Sequence, residues 1–451
     1  MIVKTMLLKR RVVALAVLLL SAFQAQATSM THQQAVSLLS AYAEIAGDAY
    51  QQALDDARQL QQSIDRLAAK PGLETLDDAK KAWLQARESY GVTEIFRLSN
   101  GPIDAEEGWV AEAYGALEGQ LNAWPLDENM IDYTIDANGQ RTEGNIIDSV
   151  GVFTPGGEDA RAVDVARITA ESISELNENG GEANVASGYH AIEFLLWGQD
   201  QDYANFTADK VTQGPLTAGQ RPLSDFTTDR HAVRRLAYLQ AAAVKLVDDL
   251  SVVNSAWQLN TSEDCDRNAG GCYRAALLGQ LKSKDASKNI DPQVALRQII
   301  AGMGVFIKSE LANERIAVAV LTPSEEDEHS CFSDNTHRDI SLNYQGFVNV
   351  LKAQMNGRSY GPSLFQKASP ETRAKIDTLI AQIDSKIKDM NELARTTWHF
   401  DYQILPNNNA REIRRMKNDM RKLGDQMVKV AADIGLSLTT DDVTDAEETK
   451  I

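Results

Sequence analysis

The sequence is poor in cysteine and in the residues that interrupt helices. Its 451 residues include 28 glycines, 11 prolines and 3 cysteines, and both helix breakers are scarcer than in an average protein. This composition excludes collagen-like, linker-dominated and largely disordered chains, and it excludes a disulfide-dense scaffold. It favours long helices over many short strands joined by turns. The length and a hydrophobic fraction of 43% predict two or three domains with large cores.

Positive charge is also in deficit. The chain has 45 lysines and arginines against 64 aspartates and glutamates, for a net charge of −19. Such an acidic protein repels nucleic acid and anionic membrane surfaces, so we expect neither as a partner. The same charge attracts cations. The alternative and commoner explanation of an acidic surface is that it only keeps the protein soluble.

The apolar run near the N-terminus is too short to span a bilayer. Val12–Leu20 has nine residues, whereas a transmembrane helix needs about 20. It follows a basic stretch that ends at Arg11, and it precedes the small-residue cleavage pattern Ala25-Gln26-Ala27. These features predict a signal peptide over 1–27 and an exported protein without a transmembrane span. Removal of its four positive charges takes the net charge to −23.

Apolar residues recur at helical spacing through most of the remaining chain. No run of alternating β-branched residues competes with this pattern. The predicted helices cover 31–69, 75–99, 160–178, 184–197, 229–253, 273–282, 291–321, 339–355, 370–394 and 409–432. Start signals support three of them: Thr75 with Asp78 three residues later, Asp291 before Pro292, and Ser369 before Pro370.

These helices predict an all-α fold of two helical-bundle domains in series. We place the first over 28–270 and the second over 271–438, followed by an acidic tail at 439–451 that we expect to be frayed. Long irregular segments at 100–158 and 198–225 are unusual in a compact protein and are often functional.

Cysteine usage fits an oxidising compartment. Cys265 and Cys272 flank a polar, glycine-containing stretch, and the spacing favours a disulfide that closes a small loop. Cys331 is then left over, and we interpret it as a buried thiol.

The sharpest local pattern is Gly188-Tyr189-His190-Ala191-Ile192-Glu193. On a helix, His190 and Glu193 share a face, with Trp197 four residues further along it. An imidazole and a carboxylate at this spacing can bind one metal ion. The alternative is a buried His–Glu pair that only holds helices together, and spacing alone favours that alternative.

A second pattern is a polar, aromatic stripe at alternating steps of four and three. Glu94 on this stripe is a candidate third ligand, and its two arginines can orient carboxylates or an anion. An ion-paired helix interface explains the stripe equally well. Its members are Trp83, Arg87, Tyr90, Glu94 and Arg97.

A third pattern lies in the charged segment 326–339, which contains two of the six histidines. Glu326 and His329 are three residues apart, and His337 has the same spacing from Asp334. Mixed imidazole and carboxylate side chains suit a transition metal, whereas a solvated charged loop is the usual fate of such a run. The charged residues at 309–315, including Glu310 and Arg315, are interpreted as helix surface.

Several catalytic motifs are absent from the sequence. It contains no His-Glu-x-x-His, no Gly-x-Ser-x-Gly, no phosphate-binding P-loop and no haem-attachment motif. No pattern therefore demands catalysis, and whether the protein is an enzyme stays open.

Four segments in this order resemble the imelysin family, and within it the iron-regulated protein A branch. They are Ala86–Asp104, the Gly-x-His-x-x-Glu motif of Gly188–Glu193, Gly219–Phe226 and Glu326–Asp339. The resemblance covers essentially the whole mature chain. It implies two helical bundles, a periplasmic or outer-membrane location, and a role in iron uptake beside other uptake components.

The resemblance also implies a metal site at His190 and Glu193. We therefore predict an exported metal-binding protein that handles iron, or another divalent metal such as zinc. Glu94 is the candidate third ligand, and the remaining site-lining candidates are Arg87, Arg97, Tyr90, Trp197, Glu326, His329 and His337. One alternative is a zinc-dependent metallopeptidase of the imelysin type, and another is a structural or adaptor protein without metal.

Overall fold

A computed structural model describes residues 30–136, 138–200, 217–259, 265, 269–282, 285–321, 323 and 327–445. Within these ranges the regular secondary structure is helical apart from four two-residue strands and one isolated β-bridge, which confirms the all-α prediction. The predicted signal peptide and Glu326 lie outside the described residues. Among the helices of the described ranges, none combines the length and apolarity that crossing a membrane requires.

Three long helices and one short apolar helix organise the first half of the chain. In chain order its helices are α1 (His32–Ala69), α2 (Leu73–Gly91), α3 (Gly108–Tyr114), α4 (Glu118–Asn122), α5 (Glu128–Ile131), α6 (Ala170–Leu176), α7 (Gly188–Trp197), α8 (Ser224–Thr227), α9 (Ala232–Trp257) and α10 (Cys272–Leu277). Helix α1 packs against α2 and α9, and α7 lies against both α2 and α9. All ten residues of α7 are buried, because eight of them are apolar or aromatic and the other two, His190 and Glu193, pair with each other.

The second half is built around one long helical run, whose middle section is π-helical, and the helices that pack against it. Its helices are α11 (Pro292–Val305), a π-helical section (Phe306–Ala317), α12 (Val318–Leu321), α13 (Thr336–Lys352), α14 (Leu364–Lys367), α15 (Pro370–Thr396), α16 (Phe400–Gln403) and α17 (Ala410–Asp433). The first three follow one another directly, which confirms the predicted helix at 291–321. Helix α17 packs against the π-helical section, α15 and α11.

The strands form two small antiparallel hairpins and no layer of their own. β1 (Val152–Phe153) pairs with β2 (Val163–Asp164), and β3 (Gln354–Met355) pairs with β4 (Arg358–Ser359). Short 3-10 turns occupy Glu94–Phe96, Ala286–Lys288 and Asp441–Val443.

The two halves meet along several helices. Helix α13 packs against α2, and α11 packs against α1. One hydrophobic cluster runs through both halves, so they share a core. The division near residue 270 therefore stays a prediction.

Two predicted helix boundaries are wrong. Helix α2 begins at Leu73 and ends at Gly91, because the Thr75 hydroxyl donates to the carbonyls of Lys70 and Gly72 instead of capping a helix. The predicted helix at 160–178 is reduced to α6, since residues 163 and 164 pair as strand β2.

The expected frayed tail is wrong for residues 439–445. The Val443 side chain is fully buried against α11, where it lies beside Gly304. Asp442 pairs with Arg297 of the same helix at 2.9 Å. The tail is acidic, but one apolar residue and one ion pair suffice to dock it.

The cysteine predictions are confirmed. Cys265 and Cys272 form a disulfide with their Cα atoms 5.9 Å apart. Cys331 is a buried thiol outside this disulfide.

A buried ion cluster fastens the irregular segments of the first half to α9. The Asp132 carboxylate accepts hydrogen bonds from Arg221 Nη1 at 2.7 Å and from Arg235 Nε at 2.6 Å. These three side chains are at most 2% exposed. The cluster thereby ties the segments around 132 and 221 to the helix that bears Arg235.

Candidate metal centre

The site begins with the glycine that starts α7. Gly188 has φ of +81°, and a Cβ there would lie 2.5 Å from the Leu121 carbonyl oxygen. Only glycine avoids both the strained backbone and the clash. It therefore allows the start of α7 to approach the end of α4 closely, which sets the position of His190 two residues later.

His190 and Glu193 form a direct, fully buried pair. His190 Nδ1 lies 3.0 Å from Glu193 Oε2, and both side chains have no exposed surface. The other oxygen, Oε1, accepts hydrogen bonds from the Ser333 backbone N–H at 3.0 Å and from its hydroxyl at 2.6 Å. The second half of the chain thus holds the carboxylate in place.

A second imidazole packs directly on the first. The rings of His190 and His329 are 4.6 Å apart and nearly perpendicular, and Trp124 lies 5.0 Å from the His190 ring on another side. His329 Nδ1 lies 2.9 Å from Asp339 Oδ2. Each histidine therefore has a carboxylate at Nδ1, the arrangement that accompanies metal-bound histidines and directs Nε2 to the ion.

The two Nε2 atoms have few competing partners. His190 Nε2 is buried, and among the described residues it has no hydrogen-bond partner. His329 Nε2 has a weak contact to the Asn122 amide nitrogen at 3.4 Å. Because an unpaired buried polar atom costs about 1–3 kcal/mol, His190 Nε2 is well suited to receive a ligand.

Both imidazoles are neutral at physiological pH. Burial, followed by the neighbouring His329 and Arg87, lowers the pKa of His190 well below its ordinary value. Burial and Arg315 lower the pKa of His329 to about 4, although Asp339 opposes this change. Neutral imidazole is the form that binds metal ions.

Arg87 connects the supporting groups behind the imidazoles. Its side chain is fully buried, with Nη2 3.1 Å from Asp339 Oδ1 and Nη1 donating to Asn122 Oδ1 at 2.5 Å. Tyr90, the neighbour of Arg87 on α2, packs on Tyr189 at 4.7 Å. Arg87 is therefore placed to orient both the carboxylate and the amide that contact His329.

Glu94 lies near the centre but is already occupied. It accepts hydrogen bonds from the Asn122 amide at 2.9 Å and from Arg315 Nη2 at 2.7 Å, and it pairs with Arg97 at 3.4 Å. Burial alone would raise the pKa of Glu94, but Arg315 and Arg97 outweigh it and lower the pKa. In this arrangement Glu94 is an ionised partner of arginines, and its role as a ligand stays a prediction.

A cavity of about 420 Å³ opens beside these groups. His329, Asn122 and Trp124 line it, together with the guanidinium groups of Arg97 and Arg315. We call it the acidic cavity because its remaining charged lining residues are Glu118, Glu178, Glu182, Glu310, Glu314 and Asp327.

Two of the predicted site residues lie elsewhere in the structure. Trp197 packs on Trp83 with ring centres 5.3 Å apart and does not line the acidic cavity. His337 Nδ1 contacts the Asp334 carbonyl at 3.1 Å and does not line it either.

The solvated-loop alternative for segment 326–339 is wrong. His329 is 4% exposed and Asp339 is fully buried, because their mutual hydrogen bond and Arg87 satisfy their polar atoms. The surface interpretation of Glu310 and Arg315 is also wrong. Arg315 is 5% exposed, and it pairs with Glu310 at 3.0 Å beside the cavity.

Three residues of the centre were not predicted. Asn122 and Trp124 lie in the irregular segment 100–158, where no periodic pattern exists. Ser333 reaches Glu193 across 140 residues of sequence. The unusual length of segment 100–158 is the only sequence signal for Asn122 and Trp124, whereas Ser333 lies in the charged segment 326–339.

The described residues do not contain three His, Cys, Asp or Glu side chains placed to hold one metal ion. The two imidazoles therefore do not make up such a group by themselves.

The fold and this centre define a class of protein. Residues 46–427 match the family model of imelysin, peptidase family M75. The chain therefore belongs to the imelysin family.

Two individual relatives are similar to this chain. Iron-regulated protein A of Synechococcus elongatus is 24% identical over 311 residues, which cover 69% of this chain. The chain spans 62% of the length of that relative. A crystal structure from Parabacteroides distasonis, provisionally described as an iron-regulated protein A precursor, superposes with a TM-score of 0.60. The superposition covers 90% of this chain and 96% of the Parabacteroides distasonis chain, with 15% sequence identity. At this identity the likeness establishes only the fold.

Proposed function

We propose that this imelysin-family protein binds a metal ion at the His190–His329 centre, with iron as its cargo. The observation that carries the proposal is the buried His190 Nε2, which lacks a hydrogen-bond partner among the described residues and lies beside a second neutral imidazole. This nitrogen is therefore open to a ligand, and a bound ion would satisfy it as native proteins satisfy most buried polar atoms.

Each residue has a role in the proposal. His190 and His329 supply the metal-binding nitrogens, and Glu193 and Asp339 hold the rings by their Nδ1 atoms. Imidazole suits iron and zinc alike. Because two nitrogens fill only part of a coordination sphere, the ion keeps exchangeable positions, which fits reversible binding better than permanent storage.

The choice of iron is supported by the relatives, two of which are described as iron-regulated proteins. Export is supported by the leader pattern that ends at Ala27 and by the disulfide, since disulfides persist in oxidising compartments. In such a compartment the protein would exchange its cargo with periplasmic or outer-membrane uptake components.

The test measures binding of Fe²⁺ without oxygen, and of Zn²⁺ separately, by residues 28–451. We compare the wild type with His190→Gln and His329→Gln. Each variant should bind at least about 100-fold more weakly, because loss of a direct ligand exceeds the 10- to 100-fold cost of losing a partner of that ligand. At a metal concentration of 100 Kd, binding should stabilise the wild type by about 2.7 kcal/mol.

The matched control is His231→Gln, since His231 is a histidine that pairs with Asp148 at 3.3 Å away from the centre. It should bind metal like the wild type. Equal metal binding by all four proteins would contradict the assignment. Binding of zinc alone, together with peptide hydrolysis lost in His190→Gln, would favour the metallopeptidase.

A further inference from the structure

The acidic cavity carries an excess of negative charge that its arginines do not neutralise. Arg97 pairs with Glu310 at 2.9 Å and with Glu118 at 3.4 Å, and it also contacts Glu94. Arg315 pairs with Glu94 and Glu310. Both guanidinium groups in the wall are thus bound to carboxylates, and neither offers a free fork to an incoming anion.

The outer part of the cavity holds carboxylates of a different kind. Glu178 and Glu182 are exposed at its mouth and Asp327 is half-buried. Within the described chain, none of these three side chains forms an ion pair. Burial and the nearby Glu182 raise the pKa of Glu178, so the two groups repel each other.

The inner end of the cavity reaches the proposed metal centre. His329 and Trp124 line the cavity, and the fully buried His190 ring lies directly against both of them. The unpartnered His190 Nε2 is thus one ring away from the cavity. This juxtaposition connects a negatively charged mouth to two neutral nitrogen donors.

We propose that the acidic cavity is the entrance for the metal and that it admits a hydrated cation rather than an anionic chelate or haem. The inference rests on the proposed function and names the form of its substrate. A site for a carboxylate-rich chelate needs arginines that are free to bind it in bidentate fashion. A haem site needs a largely apolar slot, whereas this wall is mostly charged.

Carboxylates around a cleft concentrate cations and raise the association rate, and this effect weakens as salt screens the charges. Glu178 and Glu182 would therefore raise the association rate constant of the ion. The dissociation rate constant, which depends on the imidazoles, would change little. This separation gives the proposal a kinetic signature that a structural role would not produce.

The experiment is a stopped-flow measurement of association and dissociation rates for anaerobic aqueous Fe²⁺ at about 20 and 300 mM NaCl. Equilibrium binding of ferric citrate is measured in parallel. The variant Glu178→Gln/Glu182→Gln is compared with Glu74→Gln/Glu371→Gln. The control pair makes the same change in net charge at exposed positions that do not line the cavity.

We expect the mouth variant to bind Fe²⁺ several-fold more slowly at low salt, with an unchanged dissociation rate and a smaller difference at high salt. The control variant should match the wild type, and ferric citrate should not bind. Equal rates in the two double variants would overturn the inference.

The inference is also overturned if ferric citrate binds better than Fe²⁺. If that binding is lost in His190→Gln, the metal centre stands and only the entrance is wrong. If the wild type binds neither probe, the proposed function fails together with the inference.

Discussion

At the scale of single residues, the centre separates the groups that bind from the groups that orient. Glu193 has one oxygen on His190 and the other on Ser333, so its carboxylate is held between two segments. Asp339 has a similar position between His329 and Arg87. Both acids contact the ring nitrogen that faces away from the proposed ion.

Two substitutions at Glu193 distinguish an orienting residue from a ligand. Glu193→Gln keeps an oxygen that accepts from His190 Nδ1, so metal affinity should fall by less than about 10-fold. Glu193→Ala should lose about 10- to 100-fold, the cost of removing an outer partner of a ligand. Titration with Fe²⁺ checks this, and near-ultraviolet circular dichroism verifies folding. Equal and complete loss in both variants would identify Glu193 as a direct ligand.

Residue patterns predict only the local part of the centre. His190 and Glu193 could be predicted because their spacing of three on one apolar helix brings them together. Arg87 and His329 were recognised as candidates, but their contact crosses 242 residues, which no periodic pattern encodes. Asn122 is a neutral amide in an irregular segment, and nothing in its sequence neighbourhood marks it.

At the scale of elements, α7 positions the centre through its first residue. Eight of the ten residues of this fully buried helix are apolar or aromatic, and apolar contacts alone do not fix its axial position. The close approach of Gly188 to the Leu121 carbonyl helps to fix it. The glycine of the Gly-x-His-x-x-Glu pattern thus has a packing role that sequence spacing did not reveal.

Gly188→Ala should therefore affect both stability and binding. A Cβ in the left-handed region costs about 1–2 kcal/mol, and overpacking adds about 1–3 kcal/mol, so we expect a loss of about 2–5 kcal/mol in urea unfolding. Metal affinity should also fall, because His190 moves with the helix start. Gly181→Ala is the control, since its Cβ would be no closer than 3.8 Å to another atom. Equal stability of the two variants would refute this account.

Element boundaries were predictable where start signals were strong. Ser369 accepts a hydrogen bond from Thr372 N–H and α15 begins at Pro370, close to the predicted 370–394. The end of α2 was not predictable, because residues after Gly91 continue the helical spacing while forming a 3-10 turn. That turn contains Glu94 and places Arg97 in the cavity wall.

At the scale of the whole molecule, buried ion pairs hold long irregular segments in place. The cluster of Asp132, Arg221 and Arg235 joins two such segments to α9. Burial alone would raise the pKa of Asp132, but the two guanidinium groups outweigh it and lower the pKa.

Asp132→Asn should destabilise the protein by about 3–5 kcal/mol, because it leaves buried arginine charge without its partner. The folded pKa is depressed, so this stabilisation is present above the unfolded carboxyl pKa of about 3.9 and is lost as the pH falls below it. Unfolding free energies of wild type and variant should therefore converge as the pH falls from 6 towards 3. Asp377→Asn, at an exposed pair with Lys352, should differ from the wild type by less than about 1 kcal/mol at each pH. A pH-independent difference for Asp132→Asn would contradict the prediction.

The origin of the two imidazoles in different halves of the chain has a consequence for biosynthesis. Glu193 and Ser333, which clamp the centre together, are 140 residues apart. Ribosomes add about 5–20 residues per second, so on the order of ten seconds separate the emergence of the two parts. A nascent chain that carries only its first half cannot capture the ion at the complete centre. Under the proposed function, loading with cargo would therefore wait until the segment that carries His329 and Ser333 has been synthesised and has packed against α7.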